Sequence, residues 1–337
     1  MYKLLLITAL TIIACKKHDN IELPNTQKTP NQFEDLYPSN LTVNSLKELE
    51  QIEEALNFFV IGDWGRQGYF NQAELGAMMN QISMVIEPEF IISTGDNFYP
   101  SGVRSTQDPL WTNSFESIYK GSFLQVPWYI VLGNHDYKGN IDAQIKYSNI
   151  SRRWNLPSRY WSKDIKLKDS PIAARFTFLD TNPLQDDYYT DVDYKDRVKN
   201  IDTISQLKWA NKSFASTPEN YWNLAVGHHP LYTGGKRKSK IAYSRKHLES
   251  YFDRYKVDAY FCGHEHDLQH IAPVNHYTQH FISGAGSKKR NTGKIEGSHS
   301  AHSDTGIMII SLTTKKLLVQ IVNYKGEILY KNTILKK

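Results

Sequence analysis

Five short blocks of the chain carry residues suited to chemistry. They are Asp63 in GDWG, Asp96 and Tyr99 in GDNFY, Asn134, His135 and Asp136 in GNHD, His228 and His229 in GHHP, and His264 and His266 in GHEH. Each block directly follows a short β-rich apolar run ending in glycine: NFFVIG, EFIISTG, PWYIVLG, WNLAVG and DAYFCG. In an open α/β sheet, ligands bind beyond the carboxyl ends of the strands. Gly62, Gly95, Gly133, Gly227 and Gly263 therefore mark one edge, and the residues after them face it together. Carboxylates, imidazoles and an amide oxygen suit hard-to-borderline metals such as iron, zinc and manganese. A carboxylate can bridge two ions, and an H-x-H pair can serve two neighbouring ions, whereas adjacent histidines do not easily share one. Two ions about 3.5–4 Å apart clamp the attacking and leaving oxygens of an in-line displacement at phosphorus. With Cys15 and Cys262 as its only cysteines, the chain has no thiolate cluster for a structural zinc or an iron–sulfur centre.

These residues need a scaffold, and the rest of the sequence supplies its signals. Two further apolar runs, ARFTFLD and QHFISG, have the same strand character, and helical segments at 71–85, 203–215 and 244–255 separate several of the runs. That alternation predicts an α/β fold. The C-terminal stretch GIMIISLTTKKLLVQIVNYKGEILYKNTI reads as antiparallel strands with tight turns at 313–315 and 325–326. Cys262, in DAYFC, reads as a buried strand thiol.

The order GD, GDxxY, GNH(D/E), GH, GHxH resembles the metallophosphoesterases, and among them the purple acid phosphatases of the small tartrate-resistant type. The stretches VPWYIVLGNHDYKGNIDAQIKYSNISRRWNLPSRYW, GHEHDLQH and FISGAG carry the similarity beyond the ligands, over residues 56–286. The resemblance implies a four-layer sandwich, two mixed β-sheets flanked by helices. It implies an acid phosphatase that hydrolyses phosphomonoesters at an Fe(III)–M(II) site, M being iron, zinc or manganese, by direct attack of a metal-held hydroxide. Carried onto matching positions, Asp63, Tyr99 and His266 hold the ferric ion, Asp96 bridges, and Asn134, His228 and His264 hold the divalent ion. A phenol titrates near pH ~10, so Tyr99 binds as phenolate only to a strong Lewis acid such as Fe(III). His135 binds phosphate or protonates the leaving group, and Asp136 is expected to orient His135 from behind, or else to serve only as a turn residue.

One departure stands out. Where the family places a further histidine near the leaving group, this chain has Arg237, in HPLYTGGKRKSK. The acid role then rests on His135 or on His229. Arg237 and Lys236 either bind phosphate oxygens or belong to a solvated loop. Trp64 is expected to pack with partial exposure, Gly284 and Gly286 to shape a turn near the site, and His270 to lie at the surface or on the pocket rim. Two other readings compete. A phosphodiesterase or nucleotide-cleaving relative would use the same metals and favour bis-p-nitrophenyl phosphate over p-nitrophenyl phosphate. A binding lipoprotein with the fold but not the chemistry predicts lost ligands, and all seven ligands and His135 are present.

The 337-residue chain is 40% hydrophobic with a net charge of +5. It is long enough for a large core, and its mild charge suits a small anionic phosphomonoester and does not suggest a nucleic-acid partner. MYKLLLITALTIIAC has one lysine before an apolar run too short to span a bilayer but suited to a signal peptide. Residues 1–14 resemble a bacterial lipoprotein signal that leaves a lipid on Cys15, although an ordinary signal with a chance cysteine is the alternative. Residues 15–50 are polar with scattered prolines and read as a tether, and residues 51–337 as the catalytic domain. The expectation is a monomer exported to the cell envelope, periplasmic or on the cell surface, and held to a membrane by its lipid.

Overall fold

The computed structural model describes residues 48–168 and 170–337. The signal segment 1–14, Cys15 and the tether up to residue 47 lie outside the described residues. The core is already engaged at Leu49, which is buried, and the Glu50 N–H donates to Gln320 Oε1 at 2.9 Å. Among the described residues, no helix is long and apolar enough to cross a membrane.

Two seven-stranded sheets form among the described residues. The chain starts the first sheet with β1 (Leu56–Ile61), β2 (Phe90–Ser93), β3 (Trp128–Ile130) and β4 (Trp154–Asn155), paired in parallel. It then builds the second from β5 (Trp161–Lys166), β6 (Ala173–Phe178), β7 (Trp222–Val226), β8 (Ala259–Cys262), β9 (Leu268–Ile271), β10 (Gln279–Ser283) and β11 (Ser298–His302). Strands β6, β7, β8 and β10 are parallel, and β5, β9 and β11 add antiparallel pairings at the two edges. Finally β12 (Gly306–Leu312), β13 (Lys316–Asn323) and β14 (Ile328–Leu335) return to the first sheet as the antiparallel meander read from the sequence, β12 lying beside β1. All seven glycine- or aspartate-ended runs are strands.

The layers follow from the two-residue period of the strands. In β1, Leu56, Phe58 and Val60 face the second sheet, and Phe59 and Ile61 face helix α1 (Gln72–Ile86). That helix presents Leu75, Met78, Met79, Ile82 and Ile86, the spacing of one helical face. In the second sheet, Phe261 of β8 points inward, whereas Tyr260 and Cys262 point outward. The outward pair packs with Phe214 of helix α2 (Thr203–Ala215) and with Leu248 and Phe252 of helix α3 (Ala242–Arg254). The result is helix, sheet, sheet, helix. Phe58 bridges the sheets, meeting Phe176 and Phe261 edge-on at 5.5 and 6.1 Å between ring centroids. Cys262 is a buried free thiol, as expected.

Trp64 departs from expectation, being fully buried. Its ring packs against Phe98, Trp128 and Trp154, and its N–H donates to Ser93 Oγ at 2.9 Å. A partner for the indole N–H inside the core removes the reason for exposure. His270 also departs: it lies buried on β9, bonded to Tyr330 Oη at 3.0 Å and Gln279 Oε1 at 2.9 Å. Both ring nitrogens are satisfied there, so the core tolerates them.

The loops after β2 and β3 are tied together by one carboxylate. Asp136 is fully buried and accepts from the Gly133 N–H at 2.8 Å, the Asn97 N–H at 3.1 Å, Asn97 Nδ2 at 3.0 Å, the Phe98 N–H at 3.3 Å and Gln144 Nε2 at 2.9 Å. Asp136→Ala leaves these buried donors without their acceptor. The expected loss, read from the urea-unfolding midpoint, is on the order of 3 kcal/mol or more. A loss below about 1 kcal/mol would show that other contacts hold the loops.

Candidate metal centre

Side chains from both sheets meet at the carboxyl ends of the parallel strands. Asp63, Asp96, Tyr99 and Asn134 follow β1, β2 and β3; His228, His264 and His266 follow β7 and β8. All seven are buried. Three stand in the left-handed backbone region: Asp63 at φ 59°, Asp96 at 52° and His264 at 69°. Non-glycine residues held there store strain of order 1–3 kcal/mol and cluster at functional sites. The turns are also tight. A Cβ on Gly133 would fall 2.2 Å from Asp96 Oδ1, and one on Gly284 would fall 2.0 Å from the Glu265 carbonyl oxygen. Gly284 thus permits the close approach of SGAG to GHEH, as expected of a residue near the site.

The donor atoms form two groups. In the first, Tyr99 Oη lies 3.1 Å from Asp63 Oδ1, 2.8 Å from Asp96 Oδ2 and 3.2 Å from His266 Nε2, and His266 Nε2 lies 3.4 Å from Asp63 Oδ1. In the second, Asn134 Oδ1 lies 3.2 Å from His228 Nε2 and 2.9 Å from His264 Nδ1, and those two nitrogens are 3.1 Å apart. Asp96 belongs to both: Oδ2 faces Tyr99, and Oδ1 lies 3.5 Å from His228 Nε2.

Proton counting tests whether these groups fit metal ions. His228 Nδ1 lies 2.8 Å from the Thr94 carbonyl oxygen, which can only accept, so Nδ1 carries the proton and Nε2 is a bare lone pair. That lone pair faces the bare Asn134 Oδ1, leaving at most one proton, on His264, among three mutually close acceptors. In the first group, two carboxylates and an imidazole crowd one phenol oxygen. Donor edges of 2.8–3.5 Å match an octahedral ion with bonds of about 2.1 Å, whose edges are about 3 Å. Electron-rich atoms so arranged call for cations.

The electrostatics agree. Burial, then the charge of Asp96, raises the Asp63 carboxyl well above the usual range. Burial also pulls Asp96 upward, but the His228 and His135 imidazoles, with hydrogen bonds from the His135 N–H and Tyr99, outweigh it and hold Asp96 low. Burial, then Asp63 and Asp96, raises the Tyr99 phenol well above 10, so only a strong Lewis acid could bind it as phenolate. Burial lowers His228, His264 and His266, favouring the neutral, ligating form.

His135 sits on the rim. Its side chain is 25% exposed, and its backbone N–H donates to Asp96 Oδ1 at 2.7 Å. Its Nδ1 lies 2.6 Å from the Pro100 carbonyl oxygen and Nε2 4.0 Å from Asp96 Oδ2. The bond that orients His135 therefore comes from Pro100. Asp136 does not stand behind that ring, because its carboxylate is taken up by the donors of the two loops. A cleft of about 370 Å³, lined by Tyr99, Pro100, Gln67 and Arg104, opens beside His135's anchor.

Two expectations about the next loop change. His229 cannot reach a substrate with a free ring nitrogen. Nδ1 pairs with Thr181 Oγ1 at 2.9 Å and Nε2 with Tyr188 Oη at 2.9 Å, both in the interior. Within KRKSK, Lys236, Lys238 and Lys240 are exposed, as a solvated loop predicts. Arg237 is not: its Nη1 donates to the His264 carbonyl at 2.6 Å and its N–H to Glu265 Oε1. The structure also adds residues that no motif announced. Tyr194 Oη accepts from Asn134 Nδ2 at 2.9 Å, which turns the amide oxygen toward the site. Thr181 Oγ1 accepts the N–H groups of His228 and His229 at 3.2 and 3.0 Å. Arg66 stacks 3.4 Å above the Tyr99 ring centroid, and the Arg290 N–H donates to the His266 carbonyl at 2.7 Å.

Residues 56–268 match the family model described as calcineurin-like phosphoesterase. The chain is 34% identical over 292 residues to purple acid phosphatase 4 of Arabidopsis thaliana, covering 82% of this chain and 83% of that one. It is 32% identical over 299 residues to tartrate-resistant acid phosphatase type 5 of Homo sapiens, covering 83% and 91%. Among solved structures it is similar to GAP50, described as the anchor in the inner membrane complex of Plasmodium, with a TM-score of 0.72 at 24% identity over 84% of this chain and 89% of that one. It is also similar to purple acid phosphatase PPD1 from yellow lupin (Lupinus luteus) seeds, with a TM-score of 0.62 at 15% identity over 83% and 54%. At those identities the two structures speak to the fold, and the sequence relatives speak to the family. The chain belongs to the purple acid phosphatases, phosphomonoester hydrolases within the calcineurin-like phosphoesterases.

Proposed function

We propose that the protein is an acid phosphatase that hydrolyses phosphomonoesters at a site for one Fe(III) and one divalent ion of iron, zinc or manganese. The observation that carries this reading is the pair of donor groups sharing Asp96, with the Tyr99 phenol in one of them. Asp63, Tyr99, His266 and Asp96 would hold the ferric ion, and Asn134, His228, His264 and Asp96 the divalent one. Bound ions supply Lewis acidity toward phosphate oxygens and a water acidic enough to attack phosphorus.

The chain's own residues do the rest. Asp96 fixes the separation of the two groups, and Tyr194 aims the Asn134 oxygen. His135, on the rim beside the cleft, meets the leaving oxygen and gives it a proton. Burial lowers the His135 pKa below 6.5, outweighing the Asp96 charge that raises it. The protonated donor is therefore lost as pH rises through a value below 6.5, which favours acid pH. We further propose that the protein is exported and anchored through a lipid on Cys15, on the strength of the N-terminal sequence.

Three outcomes check these readings. Purified protein should show a broad visible band that vanishes in Tyr99→Phe, with iron present by elemental analysis; a colourless protein holding two zinc or manganese ions would remove the ferric assignment. His135→Ala should lower kcat on p-nitrophenyl phosphate by about 10²–10⁴-fold and abolish the fall of kcat on the alkaline side; an unchanged pH profile would reassign the acid. Cys15→Ser should move the protein from the membrane to the soluble fraction, and retention there would refute the anchor.

A further inference from the structure

The stretch between β6 and α2 carries two phenols that stand beside the second donor group without belonging to it. Tyr194 Oη meets Asn134 Nδ2 at 2.9 Å, and its ring stacks on that of Tyr188 at 4.2 Å with 18° between the planes. Tyr188 Oη meets His229 Nε2 at 2.9 Å. The His229 ring stands 4.4 Å from that of His264 and 4.9 Å from that of His228, and one nitrogen from each of the three lies within 4.8 Å of the others. The Tyr188 phenol is therefore one side chain away from each of Asn134, His228 and His264. It is 8% exposed, as the ligand His264 is, so it is no more closed to small molecules than a ligand.

The stretch is held in place from the helix that follows Asn134. Arg197 Nη1 donates to the Tyr137 carbonyl at 2.8 Å, and Lys138 Nζ pairs with Asp193 Oδ2 at 3.0 Å. Tyr137 Oη in turn donates to Asp180 Oδ2, one residue before Thr181.

Proton counting gives the direction of each bond. A hydroxyl has two lone pairs and one proton. Thr181 Oγ1 accepts the His228 and His229 N–H groups, which uses both lone pairs. Its proton therefore goes to His229 Nδ1, at 2.9 Å. His229 then carries its own proton on Nε2 and donates it to Tyr188 Oη. The phenol oxygen is the acceptor in that bond, and its proton is left over. Among the described residues, the Tyr188 hydroxyl has no other hydrogen-bond partner. Burial, then the neighbouring Tyr194 and the charge of Asp96, raises the Tyr188 phenol well above 10, so the proton stays in place. The chain from Thr181 through His229 thus ends in a neutral, oriented and unused donor beside three ligands.

A bound phosphomonoester carries a charge of about −2, and its oxygens are strong acceptors. A hydrogen bond to a charged oxygen is stronger than one between neutral groups, and a phenol supplies it without adding positive charge beside two cations. We propose that Tyr188 is a substrate-binding residue whose hydroxyl donates to a phosphate oxygen of the monoester, with Thr181 and His229 as the positioning residues that fix its direction. The inference rests on the phosphatase reading and adds a contact to it. Preset donors aimed at oxygens that carry charge in the transition state lower the barrier, so the bond serves kcat as well as KM.

The test uses the metal-loaded full-length protein. Tyr188→Phe keeps the ring and its stack on Tyr194 and removes only the oxygen. It should lower kcat/KM on p-nitrophenyl phosphate about ten- to a hundredfold and raise the inhibition constant of inorganic phosphate about tenfold, with metal content and melting temperature unchanged. His229→Gln, which leaves the phenol but frees its direction, should shift both constants the same way by about threefold or more. Constants within about twofold of wild type in Tyr188→Phe, or a loss that only follows metal content or melting temperature, would overturn the proposal. Should Tyr188→Phe not fold, unshifted constants in His229→Gln would overturn it instead. A wild-type protein inactive on p-nitrophenyl phosphate would refute the phosphatase reading, and calorimetric binding of inorganic phosphate to wild type and Tyr188→Phe would still decide whether the phenol holds a phosphate.

Discussion

The carboxylate of Asp96 is shared between two groups of electron-rich atoms, and the architecture around it serves that sharing. One oxygen faces Tyr99, and the other faces His228 while accepting the His135 N–H. Such a carboxylate must be buried, immobile and surrounded by atoms that repel one another without a cation. The backbone meets that demand with left-handed conformations at Asp63, Asp96 and His264 and with Gly133, where no side chain would fit. The stability of the sandwich below the site is what holds these unfavourable conformations in place.

The site was legible in the sequence because its residues follow strands directly. An apolar run ending in glycine fixes where a strand stops, and the next side chain then has few places to go. This is why Asp63, Asp96, Asn134, His228 and His264 lie together in the structure, each within a few residues of a strand end. The strands without an apolar run in the sequence are polar or very short: Trp154–Asn155, Trp161–Lys166, Leu268–Ile271 and Ser298–His302. Backbone pairing at or near sheet edges holds them, and such pairing leaves no periodic apolar signature.

The departures share a physical cause. Adjacency in the chain suggests Asp136 as a support for His135 and His229, beside His228, as an acid, but a side chain's partner is set by the direction in which it leaves the backbone. Asp136 turns back to the 95–99 loop, and His229 turns to Thr181 and Tyr188. Arg237 sits in a lysine-rich stretch that suggests either phosphate binding or a solvated loop, and the His264 carbonyl draws its guanidinium inward. Tyr194, Thr181 and Arg290 lie outside the five glycine-ended blocks, and Arg66 shares the loop of Asp63 without being part of a motif, so none carries a signal in the sequence.

Each donor group takes members from both sheets. Asp63, Asp96 and Tyr99 on the first sheet meet His266 on the second, and Asp96 and Asn134 on the first meet His228 and His264 on the second. The gap between the sheets is set in the core beneath the site, by aromatic contacts such as Phe58 with Phe176 and Phe261. The hydrophobic interior therefore acts as a gauge block: its thickness sets how far apart the two halves of each donor group stand. An ion seated there would rivet one sheet to the other. By the same coupling, a small residue in the aromatic layer would loosen the rivet from a distance, without touching a ligand.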